Sequence, residues 1–247
     1  MKTNNFFKNK SKFITADLIF SAVFIIAELV LYLIFMWVDW TSYVDTTIEK
    51  YISICLCLLF SVYIAIKNKP DGLILLGAFF FTVLSDTFTL VINYYYTLGV
   101  SLFIPAQLFY ALRMRTWSNK PPYKSIIARV LLIITIISVL AITQSLDTLT
   151  TVTAIYFSLL ISNAIESLFF LKNLNQILFS IGLWLFVCCD ICVGLYNIPF
   201  IFNVNFSARF DYAVSVLMWG FYLPSQILIV FSANKNLIKT VDQLKIK

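Results

Sequence analysis

Residues 77–93 read GAFFFTVLSDTFTLVIN, an apolar stretch that is long enough to cross a membrane and carries Asp86 deep inside it. A second stretch, residues 182–197, reads GLWLFVCCDICVGLYN and carries Asp190 in a matching position. An ionisable side chain at such a depth costs about 2.5–3.5 kcal/mol on membrane-insertion scales, so its presence indicates a function. Two acids in matched contexts mark the region around which we expect the chain to be organised.

Each aspartate is followed by an asparagine at the same spacing. Asn93 lies seven residues after Asp86, and Asn197 lies seven residues after Asp190. Seven residues make nearly two helical turns, so the spacing predicts that each pair shares one face of a helix. We therefore expect the two asparagines to contribute to the same site as the aspartates.

The composition is that of an integral membrane protein. Of the 247 residues, 61% are hydrophobic and only 12% are charged, whereas soluble domains carry about 25% charged residues. Histidine is absent, so any acid–base chemistry falls to Asp, Glu, Tyr, Lys or Cys. The net charge of +6 does not indicate nucleic-acid binding, because the basic residues lie at helix ends, where they set the orientation in the membrane.

The five cysteines all fall inside apolar runs, which argues against disulfides. Cys188, Cys189 and Cys192 surround Asp190 and raise the alternative of a metal site. Without histidine, and inside a helix, they are better explained as small apolar residues. The 24 Phe and 13 Tyr indicate lipid-facing, packing and interface positions. We therefore expect no metal and no cofactor.

The chain divides into apolar segments joined by short polar turns, and we expect a single all-α membrane domain. A basic segment at residues 1–13 precedes an eight-helix bundle over residues 14–231, and a basic tail follows at residues 232–247. The first apolar run is too long for a cleaved signal peptide. The expected transmembrane helices are residues 14–38, 50–66, 73–94, 100–112, 125–143, 152–171, 178–198 and 212–231.

Charges sort to opposite sides of this eight-helix arrangement. Nearly all lysines and arginines fall on the side of the two termini, and only Lys50 and Arg209 fall on the other. The positive-inside rule then predicts that both termini are cytoplasmic, in a multi-pass protein of the cell (inner) membrane. With an odd number of helices the basic segments would not lie on one side of the membrane, so the charges support an even number of helices. The acids on the opposite side are Asp39, Asp45, Glu49, Asp147 and Asp211.

The third and fourth helices resemble the seventh and eighth in the order of their polar residues. Pro105 and Gln107 follow the first aspartate helix, and Pro224 and Gln226 follow the second. This order predicts a parallel four-plus-four repeat with a site near the membrane midplane. A proline frees a backbone carbonyl that can bind a ligand, although prolines are also simply tolerated in membrane helices.

The ordered pattern of residues resembles a known family. One glycine-opened apolar run ends in Ser85 and Asp86, a second ends in Asp190, and the last helix carries Tyr222 with Gln226 four residues later. Together with eight spans in a chain of this length, the pattern is similar to that of the YhhN-type lysoplasmalogenase family. The resemblance covers the third to the eighth helix.

The resemblance implies an enzyme that hydrolyses the vinyl-ether bond of lysoplasmalogens, which releases a fatty aldehyde and a glycerophospho-alcohol. It implies catalytic roles for Asp86 and Asp190, and it carries the final-helix residues of the family to Tyr222 and Gln226. The sixth-helix tyrosine of the family matches Tyr156. Family members often have a histidine in the fourth helix, where this chain has glutamine.

Vinyl-ether hydrolysis is compatible with two buried carboxyls. Protonation of the alkene carbon creates an oxocarbenium-like cation, water adds to it, and the hemiacetal collapses. A carboxyl in a low-dielectric site keeps its proton near neutral pH, and two neighbouring carboxyls divide into one protonated and one ionised. Asp86 and Asp190 therefore supply acid and base in either order. The residues expected to hold the carboxyls, the water or the glycerol hydroxyls are Asn93, Gln107, Tyr156, Asn197, Tyr222 and Gln226.

Two other interpretations use the same residues. Buried acids and matched prolines in two halves are equally typical of a proton-coupled small-molecule or lipid transporter or binding protein that uses the same aspartates. A non-catalytic member with a structural or partner-binding role is the third interpretation, because Gln107 departs from the family histidine. We expect Glu166 at the inner mouth or in a structural role, and Glu28 lies at mid-membrane. The expected partners are the bilayer and a lipid or lysophospholipid; the sequence carries no signal for an oligomeric state.

Overall fold

The computed structural model describes residues 2–42, 44–118, 121–202 and 206–234. Within these ranges it is all helical, and eight helices are long and apolar enough to cross a membrane. This confirms the predicted eight-span bundle. The helices are α1 (Lys2–Thr41), α2 (Thr47–Lys67), α3 (Asp71–Asp86), α4 (Tyr96–Arg115), α5 (Tyr123–Ile142), α6 (Thr148–Ser167), α7 (Leu174–Phe202) and α8 (Ala208–Phe231).

The third and fourth helices have bounds that differ from the prediction. The third helix, expected to continue to residue 94, stops as an α-helix at Asp86 and continues as a π-helical turn, Thr87–Val91. The fourth helix is longer than residues 100–112 and runs through Pro105 to Arg115. It continues because Arg113, expected in a loop, is held inside the bundle by an acid on α3.

The ends of the chain also differ from the prediction. α1 begins at Lys2, so the segment expected to precede the first helix is itself helical, although the candidate membrane span begins at Asp17. The basic tail predicted for residues 232–247 lies outside the described residues from position 235 onward. The single domain, the cytoplasmic termini and the parallel repeat stay predictions. Following that orientation, the end at which α2, α4, α6 and α8 terminate is called the inner end.

Helix packing depends on close backbone approach at glycines. α7 and α8 make the most extensive contact, followed by α3 with α4, and α5 packs mainly against α6. A Cβ atom on Gly72 would lie 2.7 Å from the α-carbon of Ala65, and one on Gly182 would lie 2.9 Å from the carbonyl oxygen of Ser225. Lipid tails are as apolar as leucine, so helices associate through such close packing and through polar contacts.

One buried arginine holds the inner end of the bundle together. The Arg113 guanidinium donates to both Asp71 carboxylate oxygens at 2.8 and 3.1 Å, and it donates to the Ser232 hydroxyl at 2.6 Å. It also lies over the rings of Trp117 and Phe179. Because these partners stand on or next to α3, α4, α7 and α8, this side chain fixes four helices relative to one another.

A second ion pair joins helices at the opposite end of the bundle. The Lys50 ammonium lies 2.6 Å from the Asp39 carboxylate and 5.0 Å from the centre of the Trp219 ring. Thr46 donates to the same carboxylate, and Tyr212 donates to the backbone carbonyl of Asp39. The contacts join α1, α2 and α8, so a lysine on the acidic side of the membrane is satisfied within the bundle.

Replacing Arg113 with methionine should strongly destabilise the fold. The change leaves the buried Asp71 carboxylate without its cation, which typically costs about 3–5 kcal/mol. The free energy of unfolding of the purified protein in micelles, measured by denaturant titration, tests this. Arg209→Met, at an exposed position, is the control and should change that free energy by less than about 0.5 kcal/mol.

The double variant Arg113→Met/Asp71→Leu separates the loss of the ion pair from the cost of leaving a buried carboxylate unpaired. It should recover part of the loss, because it removes the carboxylate that the single variant leaves unpaired. If Arg113→Met were no less stable than Arg209→Met, the ion pair would not hold the inner end together.

Candidate functional site

The two aspartates face the same interior region from α3 and α7. Asp86, the last residue of α3, is only 4% exposed. Asp190 is half-buried, but its Oδ2 atom is inaccessible. Both carboxyls act electrostatically on the Tyr156 hydroxyl of α6 and on the Cys189 thiol of α7. The fold therefore places both acids in the neighbourhood of the same tyrosine and cysteine, and no direct bond between their carboxyls is found in the described part of the chain.

Asp86 is held by a tyrosine from the last helix. The Tyr222 hydroxyl donates to its Oδ2 atom at 2.7 Å. The preceding residue, Ser85, donates to the Gly99 carbonyl at 2.6 Å and ties the end of α3 to the start of α4. The serine thus fixes the helix end, and the tyrosine fixes the carboxyl.

A change in helix type directly follows Asp86. Thr87–Val91 form a π-helical turn, in which Thr87 lies 2.9 Å from the Tyr51 hydroxyl of α2. Such turns insert an extra residue into a helix and are frequent at functional sites. The α-helical spacing from Asp86 to Asn93 is therefore interrupted. Asn93 is exposed, has a φ of 53° and accepts a hydrogen bond from Tyr96.

Asn197 also lies away from the aspartates. It is exposed near the outer end of α7, and its amide donates to the Val193 carbonyl at 2.7 Å within the same helix. α7 is a continuous helix here, so Asp190 and Asn197 can share one helix face as predicted. They are nevertheless about 10 Å apart along the helix axis. We leave Asn93 and Asn197 out of the site that we propose.

Asp190 and Tyr156 face each other as an acceptor and a donor, in a looser contact than that of Asp86 with Tyr222. Asp190 is the strongest electrostatic neighbour of the Tyr156 hydroxyl. The Asp190 Oδ2 atom and the Tyr156 hydroxyl are both inaccessible, and neither reaches hydrogen-bond geometry with a described group. Buried polar atoms are normally paired. An unpaired acceptor beside an unpaired donor marks a position that a polar ligand group can fill.

Aromatic rings connect the two Asp–Tyr pairs. Phe103 of α4 stacks on Tyr156 with a centroid distance of 5.2 Å, and Phe186 of α7 contacts Phe103 at 5.8 Å and Tyr222 at 5.4 Å. Electrostatic interactions are stronger beside such apolar walls than in water. The sequence analysis did not predict these two phenylalanines. Phe186 lies one helical turn before Asp190, and this spacing could have indicated that the two residues share a helix face.

Gln107 and Gln226 lie one helical turn further toward the inner end than these rings. Gln107 stands four residues after Phe103 on α4, and Gln226 stands four residues after Tyr222 on α8; both are fully buried. The Gln107 Oε1 atom accepts from Asn163 at 3.0 Å, while the Gln226 Nε2 atom donates to the neighbouring serine hydroxyl at 3.1 Å. The remaining amide atom of each finds no described partner.

Glu28, which is buried, and Glu166, which is half-buried, lie outside this region. Glu28 of α1 accepts hydrogen bonds from Ser53 and from Cys57 of α2. Glu166 pairs with Arg115 and Arg129 toward the inner end, which agrees with the expected inner-mouth position. Within the ranges that the structure describes, no three His, Cys, Asp or Glu side chains are grouped to hold a metal ion.

Comparison with known proteins gives one match. The model of the YhhN family matches residues 46–233, which run from the start of α2 to just past α8 and include every residue of the candidate site. α1 lies outside the match. No curated protein and no solved structure matches the chain.

Replacing Tyr222 with phenylalanine should destabilise the protein by about 1–3 kcal/mol, the typical cost of leaving a buried acceptor without its donor. The control is Tyr110→Phe, since Tyr110 is equally buried but its hydroxyl makes only a loose contact with the neutral Thr82 side chain. Denaturant titration in micelles measures both. Equal losses in the two variants would show that the Tyr222–Asp86 bond does not stabilise the site.

Proposed function

Because the chain belongs to the YhhN family, we propose that it hydrolyses the vinyl-ether bond of lysoplasmalogen-like lysophospholipids within the membrane. The observation that supports this most is that each of the two membrane-embedded aspartates faces a buried tyrosine, Asp86 facing Tyr222 and Asp190 facing Tyr156. Both pairs fall inside the matched region. The substrate is a membrane lipid, which reaches a buried site from the bilayer.

The hydrogen bonds support one assignment of the acid and base roles to the two aspartates. Asp86 accepts a hydrogen bond from Tyr222, and such a bond favours an ionised carboxylate. We assign Asp86 as the base. Asp190 faces the Tyr156 hydroxyl in a looser contact than the bond between Tyr222 and Asp86, and we assign Asp190 as the acid that faces the substrate.

Both aspartates return to their starting protonation states at the end of the proposed reaction. Asp190 gives its proton to the alkene carbon beyond the ether carbon, and the positive charge is shared by the ether carbon and oxygen. Asp86 takes a proton from water as the water oxygen bonds to the ether carbon. The hemiacetal then collapses: its hydroxyl proton returns to Asp190, the carbon–oxygen bond breaks, and Asp86 protonates the departing glycerol oxygen. The products are a fatty aldehyde and a glycerophospho-alcohol.

Tyr156 and the two glutamines complete the site. The Tyr156 hydroxyl, which faces Asp190, would hold the attacking water or the glycerol hydroxyl there. Gln107 and Gln226 each offer one unpaired amide atom a turn further toward the inner end. Polar ligand groups there would satisfy atoms that the protein leaves without partners.

Aldehyde release from a 1-alkenyl lysophospholipid by the purified protein tests the proposal. Wild-type protein should produce aldehyde, and Asp86→Asn and Asp190→Asn should each lower the rate by at least about 100-fold, the lower range for loss of a general acid or base. Glu28→Gln is the matched control, because it removes a carboxyl that is as deeply buried as that of Asp86 and that accepts hydrogen bonds from Ser53 and Cys57. It should retain the activity.

Two outcomes would contradict the proposal. One is folded wild-type protein that releases no aldehyde; uptake of a solute driven by a proton gradient, without chemical turnover, would then support the transporter interpretation. The other is a loss in Glu28→Gln equal to that in the aspartate variants, which would show a general effect of removing buried acids.

A further inference from the structure

We infer that a second polar cluster, closer to the inner end, binds the phosphate of the lysophospholipid. The inference rests on the proposed function for its substrate class. The cluster, called the arginine cluster, joins α4, α5 and α6 and consists of Arg115, Arg129, Glu166, Asn163 and Gln107.

Arg129 is the centre of the arginine cluster. Its Nη2 atom donates to the Asn163 Oδ1 atom at 2.7 Å and to the Glu166 Oε2 atom at 2.5 Å, and its Nη1 atom donates to Ser125. Arg129 is only 8% exposed. α5 is otherwise mostly lipid-facing. Because an ionisable side chain at this depth is costly, the buried Arg129 guanidinium indicates a function.

Glu166 does not neutralise the cluster. Its Oε1 atom accepts from Arg115, and its Oε2 atom accepts from Arg129 and from Ser125 at 2.7 Å. Two arginines therefore share one carboxylate, which leaves one positive charge among these residues. Arg115 is only half-buried, but an excess positive charge in a partly desolvated position favours an anion beside it.

The unpaired atoms of the cluster are all donors. Asn163 uses its amide nitrogen on the Gln107 carbonyl at 2.8 Å and on the Gln107 Oε1 atom at 3.0 Å. The Gln107 Nε2 and Arg129 Nε atoms are inaccessible, and neither meets an acceptor in the described part of the chain. A phosphate supplies both the negative charge and several acceptor oxygens, and arginine binds it with directed hydrogen bonds.

The arginine cluster stands at a suitable distance from the two aspartates. Gln107 follows Phe103 by four residues and Asn163 follows Tyr156 by seven, so the cluster lies about 6–10 Å along the helices toward the inner end. In a lysoplasmalogen, about five bonds of roughly 1.5 Å join the vinyl-ether oxygen to the phosphorus. One lipid can therefore place its phosphate in the cluster and its vinyl ether between the aspartates.

Binding of non-hydrolysable lipids tests the inference without turnover. The probes are a 1-O-alkyl glycerophospholipid lacking the second chain and the matching 1-O-alkylglycerol, which lacks the phosphate. Ligand-dependent thermal stabilisation of the full-length protein in micelles reports affinity. Wild-type protein should bind the phosphate-bearing lipid at least about 10-fold more tightly, as expected for the gain of charge-assisted hydrogen bonds.

Two substitutions address the unpaired donors. Gln107→Glu keeps an acceptor for Asn163 but replaces the free donor with a negative charge, and Arg129→Lys keeps the charge but removes the Nε donor. Both should lose most of the preference for the phosphate-bearing lipid. Lys124→Gln removes a positive charge from an exposed position on the same helix and should keep the preference. Unliganded thermal stability shows whether each variant is folded.

The outcomes separate the arginine cluster from the catalytic proposal. If the preference depends on Gln107 and Arg129 but no aldehyde is released, the phosphate site stands and the hydrolase proposal fails. If aldehyde is released from alkenylglycerol as efficiently as from the lysophospholipid, and the two alkyl probes bind equally, the inference is overturned. It is also overturned if inorganic phosphate displaces the phosphate-bearing lipid at equal concentration, because the site would then serve free phosphate.

Discussion

The burial of two carboxyl groups inside a membrane bundle is the constraint on which the rest of the structure depends. Neither Asp86 nor Asp190 can lie against lipid tails without a large cost, so other helices must cover both. α8 covers Asp86 with Tyr222, and α6 covers Asp190 with Tyr156. Phe103 and Phe186 fill the space between these pairs. The site therefore needs α3, α4, α6, α7 and α8 at once.

Polar contacts at the two ends keep those helices in register. Arg113 fixes the inner end and the Lys50–Asp39 pair fixes the opposite end. Close approach at glycines also brings α2 against α3 and α7 against α8. Because apolar burial gives helices little reason to associate in lipid, these few polar and close-packed positions determine which side chains meet at the aspartates.

Hydropathy and charge were sufficient to predict eight spans and the two buried acids, and the resemblance selected Tyr222 and Tyr156 as their companions. The π-helical turn after Asp86 was not predictable in this way, because it depends on contacts of Thr87 and Ser85 with α2 and α4. For that reason the Asp86–Asn93 spacing pointed to an exposed residue. The arginine cluster was missed because Arg129 and Asn163 meet only after two separate helices pack.

The coupling between the two aspartates is the most direct test of a single shared site. Vinyl-ether cleavage should be measured for Asp86→Asn, Asp190→Asn and the double variant under one set of conditions. Groups that act as a unit give non-additive losses, so the double variant should be no slower than the slower single variant. Losses that multiply in the double variant, or a single variant that keeps nearly wild-type activity, would show that the two carboxyls do not serve one reaction.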